Sequence, residues 1–328
     1  MLVLHARSGE TREPPADLQA APLPRDVVWI DLQKPDSDEI AFVERATGLR
    51  LPDFEALSEI ESSSRLRQQD DVLYLSAPLV HRAIAEQPAA TPVGFVLTPV
   101  LLVTVRFEPL TAFSTFAPTA QGTAPEVFIG LVEAIVDRVA DVLEHIAAEL
   151  DNLSHRLFRA GRIDPTQRGN RRRPARETAD LRVILRRVGA SGDLASKIRD
   201  SLLGLGRIVP YVATLEADRL PELVRHRLET MRHDIASLSD YDAHILNKVQ
   251  LLLDATLGLI NIEQNDIIKV LTVVSVVGVP PTLIASMYGM NFQYMPELHW
   301  SWGYPYGLVL IAISAVAPLL WFKWRGWF

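Results

Sequence analysis

Short alternating or apolar runs fill the first part of this chain. Val27-Val28-Trp29-Ile30-Asp31-Leu32, Val72 to Val80, Val93 to Leu97 and Leu101 to Arg106 read as strands. The last two are separated by Thr98-Pro99-Val100, which predicts a hairpin connection. Helical stretches such as Ser37 to Gly48 lie among them, so an α/β domain is expected over residues 1–120. From about Pro125 the period changes. Phe128, Leu131, Ile135, Val139, Val142, Ile146 and Leu150 recur at three- and four-residue spacing, one face of a helix. Gly161 and the Arg171 to Pro174 stretch interrupt this pattern, and a second helical run is expected to end near Pro210, antiparallel to the first. The Arg171-Arg172-Arg173 run reads either as a contact for anionic lipid or as a solvated turn.

The third helical run contains no proline between Pro221 and Pro280. Leu228, Met231, Ile235, Leu238, Ile245, Val249, Leu252 and Leu259 keep near-heptad spacing along it. Such a helix, about 85 Å long at about 1.5 Å per residue, outgrows a compact domain and reads as a stalk. Its heptads imply bundling, with the chain's own helices or with other copies. The helical region as a whole is expected over residues 121–266.

Charges are frequent through Lys269 and then nearly vanish until Lys323. Val270 to Tyr288 and Tyr304 to Phe322 are each nineteen residues without a charge. Either makes a helix of about 28 Å, close to the roughly 30 Å hydrocarbon thickness of a bilayer. Transmembrane helices are therefore expected over 267–291 and 304–323, with a loop over 292–303 and a basic tail over 324–328. Lys269 precedes the first span and Lys323 and Arg325 follow the second, while the connection carries no Lys or Arg. The positive-inside rule then puts both termini in the cytoplasm. Trp300, Trp302 and Tyr304 on one side, and Trp321, Trp324 and Trp327 on the other, are placed like interfacial belts.

The first span carries a polar stripe. Asn265, Ile268, Thr272, Ser275, Val279, Thr282 and Ser286 step by three and four and share one helical face. Symmetric copies turning that face to a common axis would line a pore. Alternatively, its hydroxyls serve close packing between membrane helices. The second span has only Ser314 and no such stripe. No carboxylate lies on the stripe, and neutral hydroxyl and amide groups suit an ion that keeps its water, as Mg²⁺ does. Ile268 and Val279, with Leu271 nearby, are candidates for an apolar constriction that must widen for conduction.

Composition narrows the alternatives. The chain has 328 residues, a formal charge of −7 and no cysteine, which excludes disulfides and thiolate chemistry and disfavours nucleic-acid binding. The opening residues lack a basic segment followed by an apolar run, so no cleaved secretory signal is expected. No phosphate-binding glycine loop, G-x-S-x-G or paired metal-ligand motif marks an enzyme, and no organic cofactor is expected.

At the outer end of the first span stand Tyr288-Gly289-Met290-Asn291-Phe292, then Met295-Pro296-Glu297-Leu298, Trp300 and Gly303-Tyr304-Pro305. Here the sequence resembles the CorA family of magnesium transport proteins, most strongly over residues 260–328. The resemblance implies a funnel-shaped homopentamer in the inner membrane, with a cytoplasmic α/β/α domain, a long helical stalk and two transmembrane helices per subunit. It implies a channel for hydrated Mg²⁺, with Co²⁺ and Ni²⁺ as further cargo, in which Gly289, Met290 and Asn291 form the outer selectivity ring. For Asn291 and Gly289 a helix-end turn is an alternative role that can coexist. Glu297 would make an acidic mouth, or be an ordinary solvated acid. Closure by intracellular Mg²⁺ is also implied, with Asp254 on the stalk and Glu59 or Glu61 on the α/β domain as metal sites between subunits; either glutamate alone equally fits a solvated face. Pro280-Pro281 doubles a proline that is often single in the family, and Val279 stands where a larger gate residue is frequent. A related class, resembling ZntB zinc transporters, is the alternative. The Met-Pro-Glu-Leu loop favours magnesium, and none of the eight histidines lies in a span.

Overall fold

The computed structural model describes the chain except residues 16, 20, 60, 62–64, 83–87, 119–121, 161–173, 216–219, 292–294 and 328; of 159, 160, 174–179, 297 and 298 it describes the backbone alone. Gly161 and the Arg171-Arg172-Arg173 run thus lie outside the described residues. Two compact units result, Met1–Arg162 with Val183–Leu253, and Ile163–Arg182 with Asp254–Phe328.

The first unit holds strands β1 (Leu2–Ala6), β2 (Thr11–Arg12), β3 (Val27–Gln33), β4 (Leu66–Gln69), β5 (Val72–His81), β6 (Ala89–Leu97) and β7 (Leu102–Arg106). They form one sheet in the order β2-β1-β3-β7-β6-β5-β4. Among the described residues, only the β3–β7 pair is parallel. The expected hairpin closes with Thr98 N donating to the Leu101 carbonyl at 2.9 Å. Helix α1 (Ser37–Thr47) starts at a capping box, in which the Asp36 side chain takes the first-turn N–H groups and Glu39 returns to the Asp36 backbone. It stops at Gly48, whose φ of 73° suits glycine.

The sheet is covered on both faces, and that is why β3 is buried along nearly its whole length. On one face α1 and α2 (Phe54–Ser58) pack Phe42, Val43 and Leu57 against Ile30, Leu32, Val96 and Val103. On the other, Phe95 meets Phe113 of α3 (Thr111–Thr115) and Phe128 of α4 (Ala124–Ala160). Between β3 and β7 lies a buried polar chain. Trp29 Nε1 donates to Thr104 Oγ1 at 3.0 Å, Thr104 donates to Asp31 Oδ1 at 2.7 Å, and Arg106 Nη2 donates to Asp31 Oδ2 at 2.8 Å. Loss of one partner from such a buried pair leaves a naked charge, a cost of about 3–5 kcal/mol.

Helices α4, α5 (Pro174–Leu215) and α6 (Glu222–Tyr288) pack in a defined register. A Cβ on Gly192 would lie 3.0 Å from Val249 Cγ1, Arg199 Nε donates to Asp242 at 3.1 Å, and a Cβ on Gly206 would lie 3.4 Å from Ile235 Cγ2. Each seven-residue step forward on α5 is matched by seven residues back on α6. These two helices form an antiparallel heptad seam, tight because glycine sits at two of its layers. Arg227 pairs with Glu133 and Lys248 with Asp151, so α4 runs parallel to α6. The two helical runs α4 and α5 are therefore antiparallel, as expected. Gly204 brings α5 onto β5, since a Cβ there would sit 2.8 Å from the Ala77 Cβ.

One boundary differs from expectation. Helix α5 does not end at Pro210 but continues to Leu215. Proline there forfeits one backbone hydrogen bond, while Ile208, Val209 and Val212 on the same turns are buried and hold the helix down. The stalk heptads are satisfied within the chain. Leu228, Met231, Ile235, Ile245, Val249 and Leu252 are all buried, with Leu238 half-buried.

Asp242 is the weak layer of the seam. It is fully buried, and its Oδ1 finds no hydrogen-bond partner among the described residues. Burial raises its pKa, partly opposed by Arg199. A carboxyl whose folded pKa exceeds the unfolded one stabilises most below the unfolded pKa, and that stability is lost as pH rises through the folded pKa. Asp242→Asn is therefore expected to raise the apparent unfolding temperature at pH 7 by about 2–4 °C. The gain should shrink toward zero as pH falls to about 4, measured by thermal unfolding of the detergent-solubilised chain across that range.

Candidate functional site

Helix α6 has 67 residues, about 100 Å of unbroken helix. Its last turns, and α7 (Gly303–Trp324), are long and apolar enough to cross a membrane. A 3-10 turn, Pro296–His299, lies between them. In the single chain each span half-buries one stripe. On α6 that stripe holds Val273, Val277, Pro281, Ile284 and Tyr288; on α7 it holds Gly303, Gly307, Ile311, Ser314 and Pro318. This is the pattern made by two spans lying side by side, with small residues allowing close approach.

The polar stripe points the other way. Asn265, Ile268, Ser275, Val279, Thr282 and Ser286 are all exposed, as is Leu271, while Thr272 is half-exposed. At about 100° per residue this face is centred nearly opposite the half-buried one. Two of its hydroxyls are engaged. Thr272 Oγ1 donates to the Ile268 carbonyl and Thr282 Oγ1 to the Gly278 carbonyl, each at 2.8 Å. Pro280 and Pro281 lie inside the helix and cannot donate to the turn before them.

The helix ends at the tripeptide. Gly289 N donates to the Ala285 carbonyl at 3.0 Å and Met290 N to the Met287 carbonyl at 3.3 Å. Asn291 follows, exposed and outside the helix. Phe292 lies outside the described residues, and Glu297 sits on the 3-10 turn with its side chain undescribed.

The acids expected at a regulatory site are separated between the two units. Asp254 is an exposed residue of α6 in the second unit. Glu59 and Glu61 are exposed beside α2 in the first. Their loop is held by Arg65, whose Nε donates to the Glu59 carbonyl at 2.7 Å while its backbone N donates to the Glu61 carbonyl at 3.1 Å. Among the described residues no three His, Asp or Glu side chains are grouped to hold one metal ion.

The pattern of the family described as CorA-like Mg²⁺ transporter protein matches residues 24–324. The chain belongs to that family. It is 34% identical over 308 residues to the magnesium transport protein CorA of Salmonella typhimurium, covering 92% of each chain. It is also 34% identical over 306 residues to the Escherichia coli K12 protein of the same name, again covering 92% of each. Among solved structures, the CorA magnesium transporter of Methanocaldococcus jannaschii matches with a TM-score of 0.70 at 18% identity, covering 100% of this chain and 99% of that one. The full-length CmaX protein matches with a TM-score of 0.60 at 17% identity, over 99% and 96%. The CorA fold, a soluble α/β unit followed by a long helix and two apolar C-terminal helices, is thus common to all. What the sequence pattern missed is the half-buried stripe that fixes which side of α6 is left open; the small residues of α7 at spacings of three and four were the available signal.

Proposed function

We propose that this chain is one subunit of a homopentameric channel that admits hydrated Mg²⁺ across the inner membrane. One observation carries the reading: the single chain packs the apolar back of its first span and leaves the hydroxyl and amide stripe bare. A polar stripe bare to lipid is unfavourable, and symmetric copies around an axis give it water. The sequence likeness to magnesium transport proteins over 92% of the chain supports Mg²⁺ as cargo, with Co²⁺ and Ni²⁺ as ions of similar hydration.

In this reading residues 1–120 form the cytoplasmic domain, 121–266 the helical region with its stalk, 267–291 and 304–323 the two spans, 292–303 the outer loop and 324–328 the cytoplasmic tail. Both termini face the cytoplasm. A ring of Asn291 amide oxygens accepts hydrogen bonds from waters of the hydrated ion, so selection acts on the size and geometry of the hydrated cluster. Gly289 and Met290 complete that ring, and Glu297 raises the local cation concentration at the mouth. Ile268, Leu271 and Val279 supply the constriction. Asp254 of one subunit and Glu59 or Glu61 of the next repel unless a cation lies between them, so bound Mg²⁺ favours the closed state and its loss opens it. Asp254, Glu59 and Glu61 are all at exposed positions in the single chain.

The chain has no native cysteine, so single cysteines report position cleanly. In the reconstituted protein Ser275→Cys and Thr282→Cys should react with a charged thiol reagent, and Val277→Cys and Ile284→Cys should not. Mass spectrometry reads the adducts; protection at 275 and 282 would sink the pore assignment. Asn291→Ala should cut Mg²⁺ uptake into proteoliposomes by tenfold or more while the oligomer elutes unchanged, whereas wild-type uptake would remove the selectivity role. Parallel uptake of Co²⁺, Ni²⁺ and Zn²⁺ separates this reading from a zinc transporter. Asp254→Lys should make closure insensitive to internal Mg²⁺, because the lysine ammonium takes the place of the bridging cation; an unchanged Mg²⁺ requirement would exclude Asp254 from regulation.

A further inference from the structure

A second site lies in the first unit, on the α3/α4/α5 side of the sheet. A cavity of about 250 Å³ opens where the end of β5, the start of α3, the middle of α4 and Ile198 of α5 meet. Leu79, Ile135, Val139, Val142 and Ile198, all buried, give it apolar walls. Three nitrogen-bearing side chains also line it: His81, Arg82 and Arg138. Among the described residues, no acid lines it.

The state of those three groups defines the ligand. His81 is 8% exposed, and its Nδ1 is buried with no hydrogen-bond partner among the described residues. A buried polar atom left unpaired is destabilising unless something supplies a partner. Arg82 approaches Glu108 only to 3.9 Å and Arg138 approaches Asp141 only to 3.8 Å, both beyond hydrogen-bond length. Asp141 is largely solvated and Glu108 partly so. Each guanidinium therefore keeps donors for another acceptor. Two cations in an otherwise apolar cavity match an anionic head on a short apolar body. The volume is below the roughly 300–1,000 Å³ of drug-sized pockets, which limits that body to a short alkyl chain or a single ring.

We infer that this cavity binds a small amphipathic carboxylate. Its head accepts hydrogen bonds from Arg82 and Arg138, and its apolar end lies against Val139 and Ile198. The ligand joins β5, α3, α4 and α5, and it is separate from the ion pathway proposed above, so either assignment can fail without the other.

The test is equilibrium dialysis of radiolabelled acetate, butyrate, hexanoate and benzoate against the full-length protein in detergent, with detergent-only chambers subtracted. Benzoate or hexanoate should bind saturably at one per chain. Hexanol, benzyl alcohol and inorganic phosphate should compete at least tenfold more weakly, because each lacks either the charge or the apolar body. Arg82→Leu and Arg138→Leu, both at solvent-accessible positions, should weaken binding about tenfold each with unchanged oligomer elution and circular dichroism. Absence of saturable binding by all four carboxylates would overturn the inference. So would undiminished affinity in both arginine variants, or equal competition by the alcohols or by phosphate.

Discussion

Between Leu252 and Val270 helix α6 changes the medium to which its side chains are suited, while its backbone hydrogen bonds continue without a break. Before that stretch the helix buries a heptad stripe against α4 and α5. After it, Glu297 in the connection between the spans is the one Asp, Glu, Lys or Arg before Lys323. A helix satisfies its own backbone in water and in lipid alike, and that permits one element to serve both regimes. The soluble unit grips its first half, the second span shields one side of its last turns, and its final residues present the tripeptide.

The grip is specific in register. Glycines at 192 and 206 and the Arg199–Asp242 pair repeat every seven residues along α5 and meet α6 at matching steps. Ion pairs from α4 lock an adjacent side. A shift of α6 along its axis would have to break Arg227–Glu133, Lys248–Asp151 and the half-buried Arg199–Asp242 pair together. Within the first unit the stalk is thus held as a keyed part, and Asp242, buried with one oxygen unpaired among the described residues, is the layer where that key fits least well.

Much of this was legible in the amino-acid pattern, for definable reasons. The two spans, the stalk and the four strands β3, β5, β6 and β7 announce themselves through charge gaps, heptads and β-rich runs. Strands β1, β2 and β4 do not, because His5, the two-residue Thr11–Arg12 segment and Leu66-Arg67-Gln68-Gln69 are paired by the sheet and not by their own propensity. Pro210 misled because tertiary burial outweighed a local breaker. The stripe on the first span was visible as spacing, but its openness depends on which side the second span occupies, and that is a three-dimensional fact. Pairs far apart in sequence were invisible altogether: Asp31 with Arg106, 75 residues on, and His81 with Arg138 in the cavity.

The bonding of Thr272 and Thr282 has a further consequence for a pore lined by this face. Each hydroxyl hydrogen is spent on a carbonyl four residues earlier, so only oxygen lone pairs remain to point outward. A wall of that kind welcomes the positively polarised hydrogens of water bound to a cation. Around an anion the inner waters turn their oxygens outward, and these two hydroxyls have no hydrogen left to give them. Discrimination by sign of charge could then reside in neutral side chains, through the direction in which each hydroxyl is turned.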